Sequence, residues 1–381
     1  MFHAKTSEPA SRDRAEAAAG AVRGGAFVRR VALGALAVLT LATAAPAPAS
    51  AVADPVQWAV LGDSYAAGIF VGQPSPPLGS ADRDGCDRTT GSYPQLVARA
   101  LAADPPAGRE VKLTDVSCGG ATIAEIATTG QTPISPLQPP AGGWPSLAPQ
   151  ADRAQLSAGT EVVTISVGGN SLPFGRMLAS CLLAGVGRPD QAAPCRDAYE
   201  AGGSSLDPES IHDKYDRITR EYTAMLRAVQ QKAPNAKIIT VGYPTVVPED
   251  PSICDRQDTT ELAAPIQGIG TASATHGDIA WLHEVGTRLN EIIQGVTEAS
   301  GGQYVDTATS TVGHDGCRPR GVKWVEGVCG QAGSYWPDAL RFGLLTVECS
   351  SGNRVTLVHP NAGGHAKAAT QVEAAIRAAL T

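Results

Sequence analysis

The sequence predicts an α/β fold, a three-layer sandwich in which helices cover both faces of a central, mostly parallel five-stranded sheet. Three observations carry this. Short apolar, β-branched runs alternate with longer segments whose apolar residues recur at helical spacing, the pattern of parallel strands joined by helical crossovers. The strand-like runs are apolar without strict alternation, which suits strands covered on both faces. Several of them also end in glycine-bearing polar clusters, at the edge where such sheets bind ligands.

The first strand is read over Val56 to Leu61. Gly62 permits a tight exit, and Asp63 and Ser64 follow. A serine at the start of the next helical turn offers a hydroxyl to a cleft, and its own N–H has no partner within the helix. This stretch alone reads equally well as an ordinary turn with Ser64 as N-cap. A helix follows over Tyr93 to Ala103, where Leu96, Val97, Ala100 and Leu101 share a face, and Asp104-Pro105-Pro106 stops it.

Glu110 to Val116 is the second strand, followed by Ser117-Cys118-Gly119-Gly120 and a short helical turn over Ala121 to Ala127. The Pro-rich run 131–149 is irregular. Glu161 to Val167 is a strong third strand running into Gly168-Gly169-Asn170-Ser171, and a long loop is expected from Leu172 to Ile211. The helix over Asp213 to Gln231 aligns Tyr215, Ile218, Tyr222, Met225, Leu226 and Val229. Ala236 to Val241 is the fourth strand, His276 to Glu298 the next helix, and Gln303 to Asp306 a short fifth strand. A cysteine-bearing excursion over Thr307 to Leu357 leads to His359-Pro360-Asn361 and an alanine-rich helix over Ala362 to Leu380. No linker separates two complete patterns, so residues 54–381 are expected to form one domain with long loops.

Residues 1–53 read as a secretory signal. Arg23, Arg29 and Arg30 precede the apolar run Val31 to Ala44, and small residues then lead to a cleavage site near Ala51 or Ala53. The apolar run is too short to span a membrane, so no stable anchor is expected. The two arginines suit twin-arginine export and an ordinary signal alike. Without this segment 24 Lys and Arg face 34 Asp and Glu, a net charge near −10. That balance, with no basic stretch interleaved with aromatics, argues against a nucleic-acid partner. All eight cysteines, Cys86, Cys118, Cys181, Cys195, Cys254, Cys317, Cys329 and Cys349, lie after it, and none shows metal-site C-x-x-C spacing. In an exported chain they read as disulfides, with 105 pairings open to eight cysteines.

Four blocks, Gly62-Asp63-Ser64-Tyr65, Cys118-Gly119-Gly120-Ala121, Gly168-Gly169-Asn170-Ser171 and His359-Pro360-Asn361, stand in order across the chain. In these the sequence resembles the SGNH (GDSL-type) hydrolases, and is most similar to their secreted actinobacterial lipases and esterases. The resemblance implies the flavodoxin-like SGNH fold and hydrolysis of carboxylic esters. Ester hydrolysis needs a nucleophile, a base and donors for the oxyanion. Ser64 matches the nucleophile and His359 the general base. The N–H groups of Ser64 and Gly120 and the Asn170 side chain match the oxyanion hole. The same residues otherwise read as an N-cap, a surface histidine, a turn glycine and an Asx turn. His365 is the nearest rival base, but it falls inside the last helix.

Two positions depart from the family's usual pattern. Ser171 stands where most members have Asp, and Thr356 where most place the Asp that orients the histidine. The resemblance therefore implies a Ser–His dyad in which a backbone carbonyl, that of Thr356, takes the Nδ1 proton. Asp306, Asp315 and Asp338 are the candidates for a carboxylate folding back instead. The family's cysteine order implies the pairs Cys86–Cys118, Cys181–Cys195 and Cys254–Cys317. Cys329 and Cys349 have no counterpart in that six-cysteine pattern and are left to each other.

The expected protein is a secreted, extracellular, monomeric serine esterase or lipase acting on acylglycerols or other lipid esters, with no cofactor and no metal. A polysaccharide acetylesterase, or a catalytically silent envelope or carbohydrate-binding protein on the same scaffold, are the alternatives. The G-x-S-x-G elbow of other serine hydrolases is absent, as are Gly-rich phosphate loops.

Overall fold

Val56, Trp58, Val60 and Leu61 are almost wholly buried, and burial on both faces is what makes this run a central strand. The computed structural model describes residues 53–343 and 345–381; apart from Ala53, the expected secretory signal lies outside them. In chain order the elements are β1 (Val56–Gly62), α1 (Ser64–Ala67), α2 (Tyr93–Ala103), β2 (Val111–Asp115), α3 (Ile123–Ala127), α4 (Gln150–Arg153) and β3 (Val162–Ser166). Then come α5 (Phe174–Ala184), α6 (Pro194–Glu200), α7 (Ile211–Lys232), β4 (Lys237–Val241), β5 (Ala263–Ile266), β6 (Gly270–Ser273), α8 (His276–Ala299) and β7 (Gln303–Val305). The chain ends with β8 (Cys329–Gly330), β9 (Ala339–Phe342), β10 (Leu345–Glu348), β11 (Arg354–Val355) and α9 (Ala362–Ala379).

The main sheet has the order β2-β1-β3-β4-β7 and is parallel throughout. Trp58 pairs with Leu113 on one side and Val162 on the other, so β1 has a neighbour on each edge. Chain order reverses about β1, and a crevice opens beyond the carboxyl ends of β1 and β3. Successive residues of each strand face opposite layers. Ala59, Leu61, Val163 and Ile165 pack with Ile126, Leu226 and Leu282 of α3, α7 and α8. Trp58, Val60, Val162 and Ile239 pack with Val97, Leu101, Val372 and Ile376 of α2 and α9. Each large apolar side chain buried in this way contributes about 1.5–3 kcal/mol.

Side-chain caps fix where the long helices begin. Ser210 accepts from the Asp213 N–H at the start of α7, and Thr275 from the Asp278 N–H at the start of α8. Asn361 accepts from the N–H groups of Gly363 and Gly364 and so places the start of α9 directly after His359.

The structure corrects the sequence reading in two places. Residues 172–211, expected as loop, hold α5 and α6; Met177, Leu178, Cys181 and Leu182 bury the inner face of α5. Neither helix has a side-chain N-cap, and the start signals that α6 does carry, Pro194 at its first position and Asp197 in its first turn, stand without an apolar periodicity long enough to mark a helix. Residues 254–275 and the later excursion form a four-stranded antiparallel sheet in the order β6-β5-β10-β9, with β8 and β11 as a separate pair. Their strands are two to four residues long, too short to show a periodicity.

The eight cysteines are joined as Cys86–Cys118, Cys181–Cys195, Cys254–Cys317 and Cys329–Cys349. The first pins the Gly119-Gly120 turn, the second links α5 to α6, and the last two tie the excursion to itself and to the region before β5. Among the described residues no helix is long and apolar enough to cross a membrane.

Candidate active site

The exit from β1 is built by a glycine and a buried amide. Gly62 has a φ of 154°, and a Cβ there would lie 2.5 Å from the Ser166 carbonyl oxygen, so only glycine lets β1 turn this close to the end of β3. The Gly62 N–H donates to Gln150 Oε1 at 2.7 Å, and Gln150 Nε2 donates back to the Gly62 carbonyl at 2.8 Å. Gln150 is fully buried and acts as a short substitute strand. Asp63 then caps α1 by accepting from the Tyr65 N–H at 2.9 Å, and Ser64 opens the helix.

His359 Nε2 lies 2.7 Å from Ser64 Oγ. Its Nδ1 lies 2.9 Å from the carbonyl oxygens of both Thr356 and Leu357. Carbonyls only accept, so Nδ1 carries the ring proton and Nε2 presents a lone pair to the serine hydroxyl. Burial pushes the ring's pKa down to about 4, against the smaller upward pull of the two carbonyls. The ring is therefore neutral at ordinary pH, the state a base requires.

The loop that carries the histidine is strained. Leu357 and Val358 have φ values of 47° and 59°, a region costly for bulky and β-branched residues. Several bonds hold it there. Tyr65 Oη donates to the Val358 carbonyl at 2.7 Å, the Val358 N–H to Gly327, and the Glu326 N–H to the His359 carbonyl. Thr356 Oγ1 donates to the Gly327 carbonyl at 2.9 Å, facing away from the imidazole.

The three candidate aspartates are engaged elsewhere. Asp306 accepts from Thr309, Asp315 from the Cys317 N–H and Arg318, and Asp338 pairs with Arg354. His365 is buried in α9, where its Nδ1 accepts from the Tyr93 N–H at 3.2 Å, and burial pushes it down to about 3.

Asn170 follows β3 and lines the same cavity as Ser64 and His359. One hydrogen of its Nδ2 goes to the Ala121 carbonyl at 3.0 Å, which orients the amide. Ser171 is turned away, its Oγ accepting the Ile123 N–H at the start of α3. Gly120 adopts a φ of 80° in the turn pinned by Cys118, beside Ala121, and stands outside the cavity wall. Among the described residues, neither the Ser64 nor the Gly120 N–H has a protein acceptor.

Tyr243, two residues past β4, carries no motif in the sequence, although it follows the same rule that marks the other clusters. Its hydroxyl accepts from the Gly169 N–H at 2.8 Å and donates to Asp63 Oδ2, joining the turns after β1 and β3. Burial raises Asp63 to about 7, against the opposing pull of Tyr243 and the Tyr65 N–H.

Beyond the Ser64 hydroxyl the crevice deepens into a cavity of about 150 Å³ whose walls include Phe174, Val246, Val247, Leu282 and Leu289. Two of the polar residues on its wall away from Ser64, Asn290 and His283, direct hydrogen bonds to neighbouring backbone. Asn290 spans the N–H and carbonyl of Tyr243 at 2.8 Å each, and His283 Nδ1 meets the Val247 carbonyl. One group of potential metal ligands converges among the described residues, Cys254, Glu261 and Cys317, and its two sulfurs are bonded to each other and so offer no thiolate.

Residues 60–367 match the family model described as GDSL-like Lipase/Acylhydrolase family. The chain is 32% identical over 299 residues to "Lipase 2" of Streptomyces coelicolor, a match covering 77% of this chain and 84% of that protein. It is 30% identical over 305 residues to an "Esterase" of Streptomyces scabiei, covering 76% and 81%. The solved phospholipase A1 of Streptomyces albidoflavus NA297 has a similar fold, with a TM-score of 0.50 at 19% identity, covering 85% of this chain and 99% of that one.

Proposed function

The chain belongs to the GDSL-like lipase/acylhydrolase family and is a carboxylic ester hydrolase, and from that premise we propose a secreted serine esterase or lipase that works through an acyl-enzyme on Ser64. The observation that carries the proposal is the 2.7 Å contact between His359 Nε2 and Ser64 Oγ at the mouth of an apolar cavity. Ser64 Oγ attacks the ester carbonyl carbon while His359 Nε2 takes its proton. The negative charge on the former carbonyl oxygen is met by the N–H groups of Ser64 and Gly120 and by Asn170 Nδ2. The alcohol leaves with the proton from His359. Water, deprotonated by the same nitrogen, then releases the acid. The carbonyls of Thr356 and Leu357 hold the ring's tautomer and orientation, the task an aspartate performs in a Ser-His-Asp triad.

Two features support export: the Arg-flanked apolar run before residue 54 and four disulfides, which persist in oxidising compartments. The apolar lining favours a fatty-acyl group over an acetylated sugar as the occupant of the cavity.

The test is a fluorophosphonate probe together with p-nitrophenyl esters of increasing chain length and acetylated xylan. Wild type is expected to be labelled and to hydrolyse acyl esters. Ser64→Ala is expected to lose labelling and on the order of 10⁴-fold or more in turnover. Unlabelled wild-type protein, or turnover that survives Ser64→Ala, overturns the proposal. Activity confined to acetylated xylan replaces the acyl-chain reading with the polysaccharide one.

A further inference from the structure

Helix α8 presents Leu282, His283, Gly286, Thr287, Leu289 and Asn290 to the cavity, the spacing of a single helical face. At the centre of that face stands a glycine. A glycine inside a helix costs stability relative to alanine, and the usual compensation is close packing against a neighbour. Here there is none: a Cβ built on Gly286 meets nothing within 4 Å. Glycine is not required by the backbone either, since Gly286 lies within the regular α-helix and is absent from the positive-φ positions. What the missing side chain leaves open is the space of the cavity itself, between Leu282 and Asn290. Around that space Val246, Val247 and Leu289 supply apolar surface, while Asn290 and His283 direct hydrogen bonds to backbone.

We infer that this face of α8 is an acyl-chain subsite, and that Gly286 sets how long a chain it admits; the inference rests on the reading of Ser64 as the nucleophile. The subsite takes the unbranched hydrocarbon of a fatty-acyl ester longer than acetate. The chain lies over Gly286 while its carbonyl carbon is held at Ser64. Gly286 is a specificity-determining residue and takes no part in bond making.

The closing experiment uses the second interior glycine of the same helix as its control. Gly295 lies nine residues on, half a helical turn out of phase, exposed to solvent and likewise with nothing within 4 Å of a Cβ placed on it. The variants Gly286→Leu and Gly295→Leu remove equivalent helix glycines, and circular dichroism and thermal unfolding verify that both fold. The measurement is kcat/KM on p-nitrophenyl acetate, butyrate, octanoate and palmitate. Gly286→Leu is expected to keep acetate turnover and lose on the order of tenfold or more on octanoate and palmitate. Gly295→Leu is expected to keep the wild-type profile. An unchanged chain-length profile in folded Gly286→Leu overturns the subsite and leaves the Ser64 proposal standing. Should Gly286→Leu not fold, Gly286→Ala gives the same reading, with a smaller loss on palmitate than on acetate or none at all counting against the subsite. Wild type inert on every ester overturns the Ser64 proposal, and the subsite with it.

Discussion

Ser64 follows β1, which is hydrogen-bonded along its length to β2 on one side and β3 on the other, and the turn after it is clamped by the buried amide of Gln150. His359 follows residues 307–358, a region of short strands in which two successive residues, Leu357 and Val358, sit at positive φ. The first region is regular, and its position is set by sheet pairing and core burial. The second is irregular, and its position is set by separate fasteners: the Cys329–Cys349 disulfide, backbone bonds to Gly327 and Val328, and the Tyr65 hydroxyl on Val358. A site assembled this way takes Ser64, the proposed nucleophile, from a rigid frame and His359, the proposed base, from a loop whose strain the frame has to hold.

The largest effect comes from cutting the pair where the two regions meet. His359→Ala is expected to lose on the order of 10⁴-fold in kcat. Asn170→Ala, which removes a donor carried by the frame and leaves the base in place, is expected to lose roughly 10² to 10³ with KM little changed. Steady-state kinetics on one short ester rank the two. A larger loss from Asn170→Ala would place the main catalytic contribution in the frame and break the comparison.

Tyr65 belongs to the helix that carries Ser64, yet its hydroxyl fastens the loop that carries His359. Tyr65→Phe removes that one bond and keeps the ring against Tyr243 and His359. Expected are a kcat lower by about tenfold with KM unchanged, and a stability loss of about 1 kcal/mol in urea unfolding. If stability falls and kcat does not, the Val358 strain is held by the remaining bonds and the strut is structural only.

These differences also explain what can be read from the sequence. β1, β3 and β4 announce themselves because a buried parallel strand must be apolar at successive positions, and Ser64 and Asn170 are visible as polar residues directly after such runs. α7 and α8 are visible through their periodicity, whereas the Ser210 and Thr275 caps that fix their first turns emerge only in the structure. The strut is not visible: that Tyr65 reaches Val358 depends on a contact spanning 293 positions, which no local pattern encodes. Tyr243 escapes notice for a related reason, since a single tyrosine after a strand has no meaning until Asp63 and Gly169 stand beside it. Gly286 is equally silent, because nothing in an amphipathic pattern separates a cavity-facing glycine from a solvent-facing one such as Gly295.

The acid limb of the pH profile sharpens the comparison from the side of the base. Only neutral His359 accepts a proton, and burial holds its pKa near 4, below the ordinary 6.5. On an ester of fixed charge, kcat/KM is expected to hold through pH 6 and to fall with a midpoint near 4. The sign for stability follows from the same shift. Between pH 6.5 and 4 the unfolded chain takes up a proton at this position and the folded chain does not, so this group's contribution turns against folding as pH falls through that window and levels off below it. His365, held near 3, acts in the same direction. Asp63, raised to about 7, opposes them by binding a proton in the folded state between pH 3.8 and 7. An activity midpoint near 6.5 would show that burial does not depress the pKa of this ring.

The smallest expected effect is at Thr356, and it separates the role of its backbone from that of its side chain. The Thr356 carbonyl lies 2.9 Å from His359 Nδ1, while its hydroxyl donates to the Gly327 carbonyl, which also accepts from the Val358 N–H. Thr356→Val keeps the shape and the carbonyl. It removes one donor from an acceptor that retains another, so about 1 kcal/mol of stability and less than about threefold in kcat should be lost. Asp306→Asn and Asp338→Asn should leave kcat unchanged. Asp315→Asn should do the same at some cost in stability, because its buried carboxylate bonds the Cys317 N–H and Arg318. A loss on the order of 10³-fold from one of these three changes in a folded protein would mean that a carboxylate completes the site, and the irregular region would then supply a charge as well as a base. If all three are silent while His359→Ala is not, two main-chain carbonyls suffice to orient the imidazole. The strained backbone at Leu357 and Val358 is then part of the catalytic apparatus, because it brings the Leu357 carbonyl within 2.9 Å of Nδ1.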